Sequence, residues 1–262
     1  MSRARGTSRA LRAEWTKLRT MPSTVWLLLA TVAVTVAVGG AAAESVQVSQ
    51  CPSPAECFED TTKLALTGVW PAQAIVAVLA ALAITNEYGT NLIRATLVTD
   101  PRRVRVLAAK AVVAAAVVLV AGVAGVLGSL AAAREILPGN GFAPPSLGAG
   151  PTLRAAAGTV LYLGLIALIG LGVGAAVRDT AGAVTALLGL LFLAPLATQF
   201  VTHPVWQRRL ERFTPTSAGM AVQATIGLDR LPIGPWAGLG VLAAYAAGAL
   251  LLGAVLFAVR DA

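Results

Sequence analysis

Phosphate chemistry in this 262-residue chain would have to rest on three lysines, and none is placed for it. A P-loop needs Gly-Lys-Ser/Thr, so that backbone N–H groups cradle the phosphates while the lysine reaches them. Here Lys17, Lys63 and Lys110 follow Thr16, Thr62 and Ala109. The single histidine, His203, rules out a His-Glu-x-x-His zinc site. Ser129 is the only serine deep in a long apolar segment, and no Gly-x-Ser-x-Gly pattern supports it as a nucleophile. Cys51 and Cys57 are too few for a metal centre and have no histidine near them. With Pro52 and Pro54 bending the chain between them, the two thiols are expected to close a small disulfide ring in an oxidising compartment. Loop-closure entropy for so short a ring gives about 2 kcal/mol, enough to order a local turn. No residue is assigned to catalysis and none to a metal.

The elements around these residues are apolar. The chain is 57% apolar and 12% charged, against roughly 25% charged residues in a soluble domain. Six windows lack Asp, Glu, Lys and Arg: 20–43, 64–86, 111–133, 155–177, 180–207 and 231–259. Each is long enough for a helix to cross the ~30 Å hydrocarbon core, which takes about 20 residues. A soluble helical protein would show amphipathic stripes instead. The hydropathy excludes disorder, and two cysteines exclude a small disulfide scaffold. The fold class is therefore all-α: a polytopic membrane protein forming one domain over 1–262. Its spans are expected at about 22–43, 64–85, 106–133, 155–177, 181–202 and 236–259.

The net charge of +8 raises the question of nucleic acid, which its distribution answers. Threading six spans places thirteen Lys and Arg on the side of the termini and seven on the other, for net charges of +8 and 0. The positive-inside rule then puts both termini in the cytoplasm, and no nucleic-acid partner is needed. Arg208, Arg209, Arg212 and Arg230, in the last outer connection, run against that rule. Ala41 to Ala43 resembles a signal-cleavage site, but the apolar run before it is about twice the usual ~7–15 residues, so an uncleaved span is expected.

In residues 8–20, Leu11, Trp15 and Leu18 recur at helical spacing, flanked by Arg12, Lys17 and Arg19. That pattern suits a short interfacial helix in the cytoplasmic headgroup layer, the alternative being a solvated basic leader. Pro71 should kink the second span, and Gln73 should hydrogen-bond to a neighbouring helix. The segment 203–230, broken by Thr214-Pro215, reads as two short helices at the outer face, either lying on the membrane or re-entrant.

The most informative stretch is 87–103, on the cytoplasmic side between the second and third spans. Gly89 lets the chain turn, Leu92, Ile93 and Thr96 share a helical face, and Asp100 caps a helix that opens on Pro101. The residues alone leave two readings open: a helix docking in a partner's groove, or a connector packed on headgroups.

This arrangement resembles the membrane subunits of ATP-binding-cassette exporters of the type-2 permease family. Glu14-Trp15-Thr16-Lys17-Leu18-Arg19-Thr20 is similar to the leader of bacterial members. Glu87-Tyr88-Gly89-Thr90, then Ile93-Arg94, Leu97, Pro101, Arg103 and Ala109-Lys110, is similar to the family's first cytoplasmic loop, although many members insert residues before the Gly-Thr. Phe213-Thr214-Pro215-Thr216-Ser217-Ala218-Gly219 looks like the segment before the last span. The resemblance implies an interfacial helix carrying Leu11, Glu14, Trp15, Lys17, Leu18 and Arg19. It also implies a coupling loop carrying Glu87, Tyr88, Gly89, Thr90, Leu92, Ile93, Arg94, Leu97, Asp100, Pro101 and Arg103. The implied partner is an ABC ATPase subunit, which would hold ATP and Mg while this chain holds no cofactor. The implied assembly is a homodimer or a heterodimer with a paralogue. Seventeen arginines against three lysines suggest a GC-rich bacterial genome, and so a bacterial cell membrane. A non-transporting membrane anchor or sensor that recruits a cytoplasmic partner is the alternative function.

Overall fold

The computed structural model describes residues 11–17, 19–48, 59–90 and 103–259. Helix α1 covers 11–17 and leads into the first span, α2 (Pro22–Glu44). The second span comprises α3 (Thr61–Ala65), a 3₁₀ turn (Leu66–Gly68) and α4 (Val69–Gly89). The third is α5 (Arg103–Ile136) and the fourth α6 (Gly150–Val177). The fifth joins α7 (Thr180–Leu188) to α8 (Ala194–Gln199) through a π turn at Gly189–Leu193. Two short helices, α9 (Pro204–Phe213) and α10 (Pro215–Met220), precede the sixth span, α11 (Pro235–Val259). Among the described residues, six helical segments are thus long and apolar enough to cross a membrane.

Local chemistry explains the breaks. Pro71 has no N–H to give the carbonyl four residues back, at Thr67, and a 3₁₀ turn interrupts the α-helix there. Asp60 starts α3 by accepting from the Lys63 N–H at 3.0 Å, and Asp179 starts α7 by accepting from Gly182 N–H at 2.7 Å.

The second and fourth spans are the most buried and form the centre of the bundle. Val76, Ala80, Tyr162, Leu163 and Ile166 interlock there with Leu187 and Leu242. Backbones approach closely where side chains are missing. A Cβ added to Gly172 would lie 2.4 Å from the Ala249 carbonyl carbon, so the fourth and sixth spans can touch only with glycine at that crossing. The Ser129 hydroxyl donates to the carbonyl of Ala65 at 2.5 Å, tying the third span to the second. The bond expected for Gln73 is present: the Tyr162 hydroxyl donates to its Oε1, joining the second and fourth spans.

At the end remote from α1, the buried α10 packs against the spans while α9 stays largely exposed, with Thr214 and Pro215 at their junction. Beyond that junction, Gly219 packs on Tyr162, Val222 on Gly158, and the Ala224 carbonyl accepts from Arg154 at 2.5 Å. The extended segment beyond closes on Asp60, whose carboxylate accepts from the Thr225 N–H at 2.5 Å and its hydroxyl at 2.6 Å.

Candidate functional site

At the opposite end, four charged side chains from three elements meet. Glu14 and Lys17 come from α1, one turn apart; Glu87 closes the second span, and Lys110 lies two turns into the third. Lys110 Nζ donates to Glu14 Oε2 at 2.7 Å, to Glu87 Oε1 at 2.7 Å and to the Ala83 carbonyl at 3.2 Å. Lys17 Nζ donates to Glu87 Oε1 at 2.8 Å and to Glu14 Oε1 at 3.0 Å. Glu14, Glu87 and Lys110 are each no more than 5% exposed, while Lys17 stays partly open. Two positive and two negative charges make the set neutral, which is the condition for keeping ions out of water at tolerable cost. Burial opposes the charge on Lys17, but the hydrogen bonds and fields of Glu87 and Glu14 outweigh it and hold the amine above its ordinary value of 10.5.

A second contact set stands beside the first. Arg178 ends the fourth span in the left-handed conformation (φ 65°), a common helix-terminating geometry. Its guanidinium lies 5.2 Å over the Tyr88 ring and donates to the Leu256 carbonyl at 3.0 Å. Tyr88 in turn meets Phe257 edge to face at 6.3 Å. The end of the sixth span therefore lies beside α1, and both ends of the described chain share one side.

Among the residues read from the sequence as a coupling loop, Glu87, Tyr88, Gly89 and Thr90 close the second span, and Arg103 opens the third. Leu92, Ile93, Arg94, Leu97, Asp100 and Pro101 lie outside the described residues. So do Leu18 of the interfacial helix and the Cys51–Cys57 pair. Within α1, Glu14 rather than Trp15 is turned toward the spans; Trp15 is 50% exposed, Leu11 half-buried and Arg19 exposed. The sequence reading missed Lys110 as a member of the site. Its signal was present: a lysine with Leu107, Ala108, Ala109, Ala111 and Val112 around it has no polar helical neighbour and must find one elsewhere. Arg178, as a link between spans, was missed as well.

Among the described residues no three His, Cys, Asp or Glu side chains gather as metal ligands. The four-charge set clamps the chain on both sides of 91–102, since Glu87 precedes that segment and Lys110 follows it. Residues 24–262 match the family model described as ABC-2 family transporter protein. Comparison with curated proteins gives no match.

Proposed function

The chain belongs to the ABC-2 transporter family, and on that premise we propose that it is the permease subunit of an ATP-driven exporter. It is a multi-pass membrane component; the proposal adds that it forms the substrate path and is driven by a separate ATPase subunit through residues 87–103. ATP and Mg act on that partner. Two copies, or one copy and a paralogue, pair with two ATPases in a bacterial cell membrane, both termini cytoplasmic. The observation that carries this reading is the buried neutral quartet of Glu14, Lys17, Glu87 and Lys110. A segment that merely connected two spans would have no need of an ionic clamp at its roots. Clamped in this way, the segment passes a push from the ATPase to three elements as one body, a rigid-body switch between inward and outward access.

Reconstitution tests the reading. With its ATPase in proteoliposomes, the chain should stimulate ATP hydrolysis, and Glu87→Ala should lower that stimulation while most of the binding survives. An ATPase recruited to the membrane with its rate unchanged would refute transport coupling and identify an anchor.

A further inference from the structure

Helix α9 carries three of the four arginines that defy the charge rule on the outer side. At 100° per residue its side chains fall into three stripes. Gln207 and Glu211 form the first; both are half-buried, Glu211 beside Thr198, Gln199 and Pro232. Trp206, Leu210 and Phe213 form an apolar stripe that faces away from the bundle, Phe213 being 67% exposed, and Phe200 just before the helix is 79% exposed. Arg208, Arg209 and Arg212 form the third, also exposed. Arg212 Nε donates to the Pro232 carbonyl at 2.5 Å, and Arg209 lies 5.4 Å from the Trp206 ring. Among the described residues neither Arg208 nor Arg209 has a carboxylate partner.

The depth of the helix identifies what covers it. The Phe213 carbonyl accepts from the Tyr245 hydroxyl at 3.0 Å, and Tyr245 lies ten residues into the sixth span. At 1.5 Å per residue, and with a side chain leaning toward the helix N-terminus, the end of α9 sits roughly 10–15 Å below the start of that span. The helix thus slopes from the surface into the outer leaflet. Its apolar stripe meets acyl chains, and its arginines reach back to the headgroup level, as long basic side chains do. We infer that α9 binds anionic phospholipid headgroups of the outer leaflet through Arg208 and Arg209, whose guanidinium groups suit paired hydrogen bonds to phosphate. A second protein copy fits this face poorly, because it would bury two unpaired charges beside the apolar stripe. The inference is independent of the coupling reading.

A photoreactive benzoylphenylalanine at Val205, exposed beside the stripe, reports which lipid lies there. In vesicles of equimolar phosphatidylglycerol and phosphatidylcholine with matched chains, the full-length protein should crosslink phosphatidylglycerol preferentially. Each basic residue at an anionic surface contributes about fivefold, so R208Q/R209Q should weaken that preference about twenty-fivefold. R208K/R209K should keep most of it. A wild-type protein showing no preference overturns the inference without recourse to any variant. So does a preference that R208Q/R209Q leaves intact, one that inorganic phosphate abolishes by competition, or protein-to-protein crosslinking in place of lipid.

Discussion

Lys110→Met removes one charge from the quartet while keeping the length and apolar character of the side chain. In the wild-type chain, Lys110 Nζ sits 2.7 Å from both Glu14 Oε2 and Glu87 Oε1. Its loss leaves two buried carboxylates facing Lys17 alone, an uncompensated negative charge. Breaking a buried ion pair from one side costs about 3–5 kcal/mol, because the stranded charge keeps its desolvation penalty. For a chain of this size that lowers the thermal midpoint by on the order of 10 °C. Unfolding in detergent measures it, and hydrogen exchange over 11–17 should rise, since Glu14 loses its hydrogen bond to the third span. Adding Glu14→Gln restores charge balance, leaving Lys17 with Glu87, and should recover at least half of the loss. That non-additivity is the signature of a shared network. Lys110→Met with unchanged stability, or a double variant no better than the single, would show that the four groups do not act as a set.

Other expectations follow from particular residues. If Leu92, Ile93 and Leu97 fill an ATPase groove, losing one buried contact costs roughly 1.5–3 kcal/mol, or about ten- to a hundredfold in affinity. Ile93→Asp should therefore abolish co-purification of the partner, while Arg134→Ala, at the far end of the third span, leaves it unchanged. Cys51 and Cys57 should be joined, so non-reducing intact mass should fall by two hydrogens; two free thiols in protein taken from its native membrane would refute this. Because Lys17 is held above 10.5, its stabilising charge is fully present below that pH and is lost as pH rises through the raised value. Trp15 fluorescence should accordingly stay constant from neutral pH to about 10 and change only above it; a transition near pH 8 would contradict the pairing.

The spans were legible because a helix crossing lipid must hide its backbone polar groups and exclude charge, which writes long uncharged windows into the sequence. The charges at the window edges were less legible. The third uncharged window opens only at 111 and its span was expected from about 106, whereas the helix opens at Arg103 and takes in Arg105 as well as Lys110. Counting treats a lysine as the point where water begins, and Lys110 meets carboxylates there instead. The fifth span conceals a π turn at Gly189–Leu193 whose Leu191 carbonyl accepts from Thr216 at 2.9 Å, a long-range fit that no local spacing records.

Helix α1 shows the same limit of local pattern. Leu11, Trp15 and Leu18 gave the amphipathic pattern; Glu14 with Lys17, one turn apart, would as an exposed pair be worth only a few tenths of a kcal/mol. The structure turns Glu14 inward because the second and third spans together present an opposite, equally balanced pair in Glu87 and Lys110. Neither pair suffices alone. Glu14 with Lys17 would remain solvated, and Glu87 with Lys110 would be an isolated buried pair of doubtful net value. Together they form a neutral set in which each lysine bridges both carboxylates. Charges separated by up to 96 residues in sequence complete one another only when the fold exists, so the chemistry of this site belongs to the packing rather than to any motif.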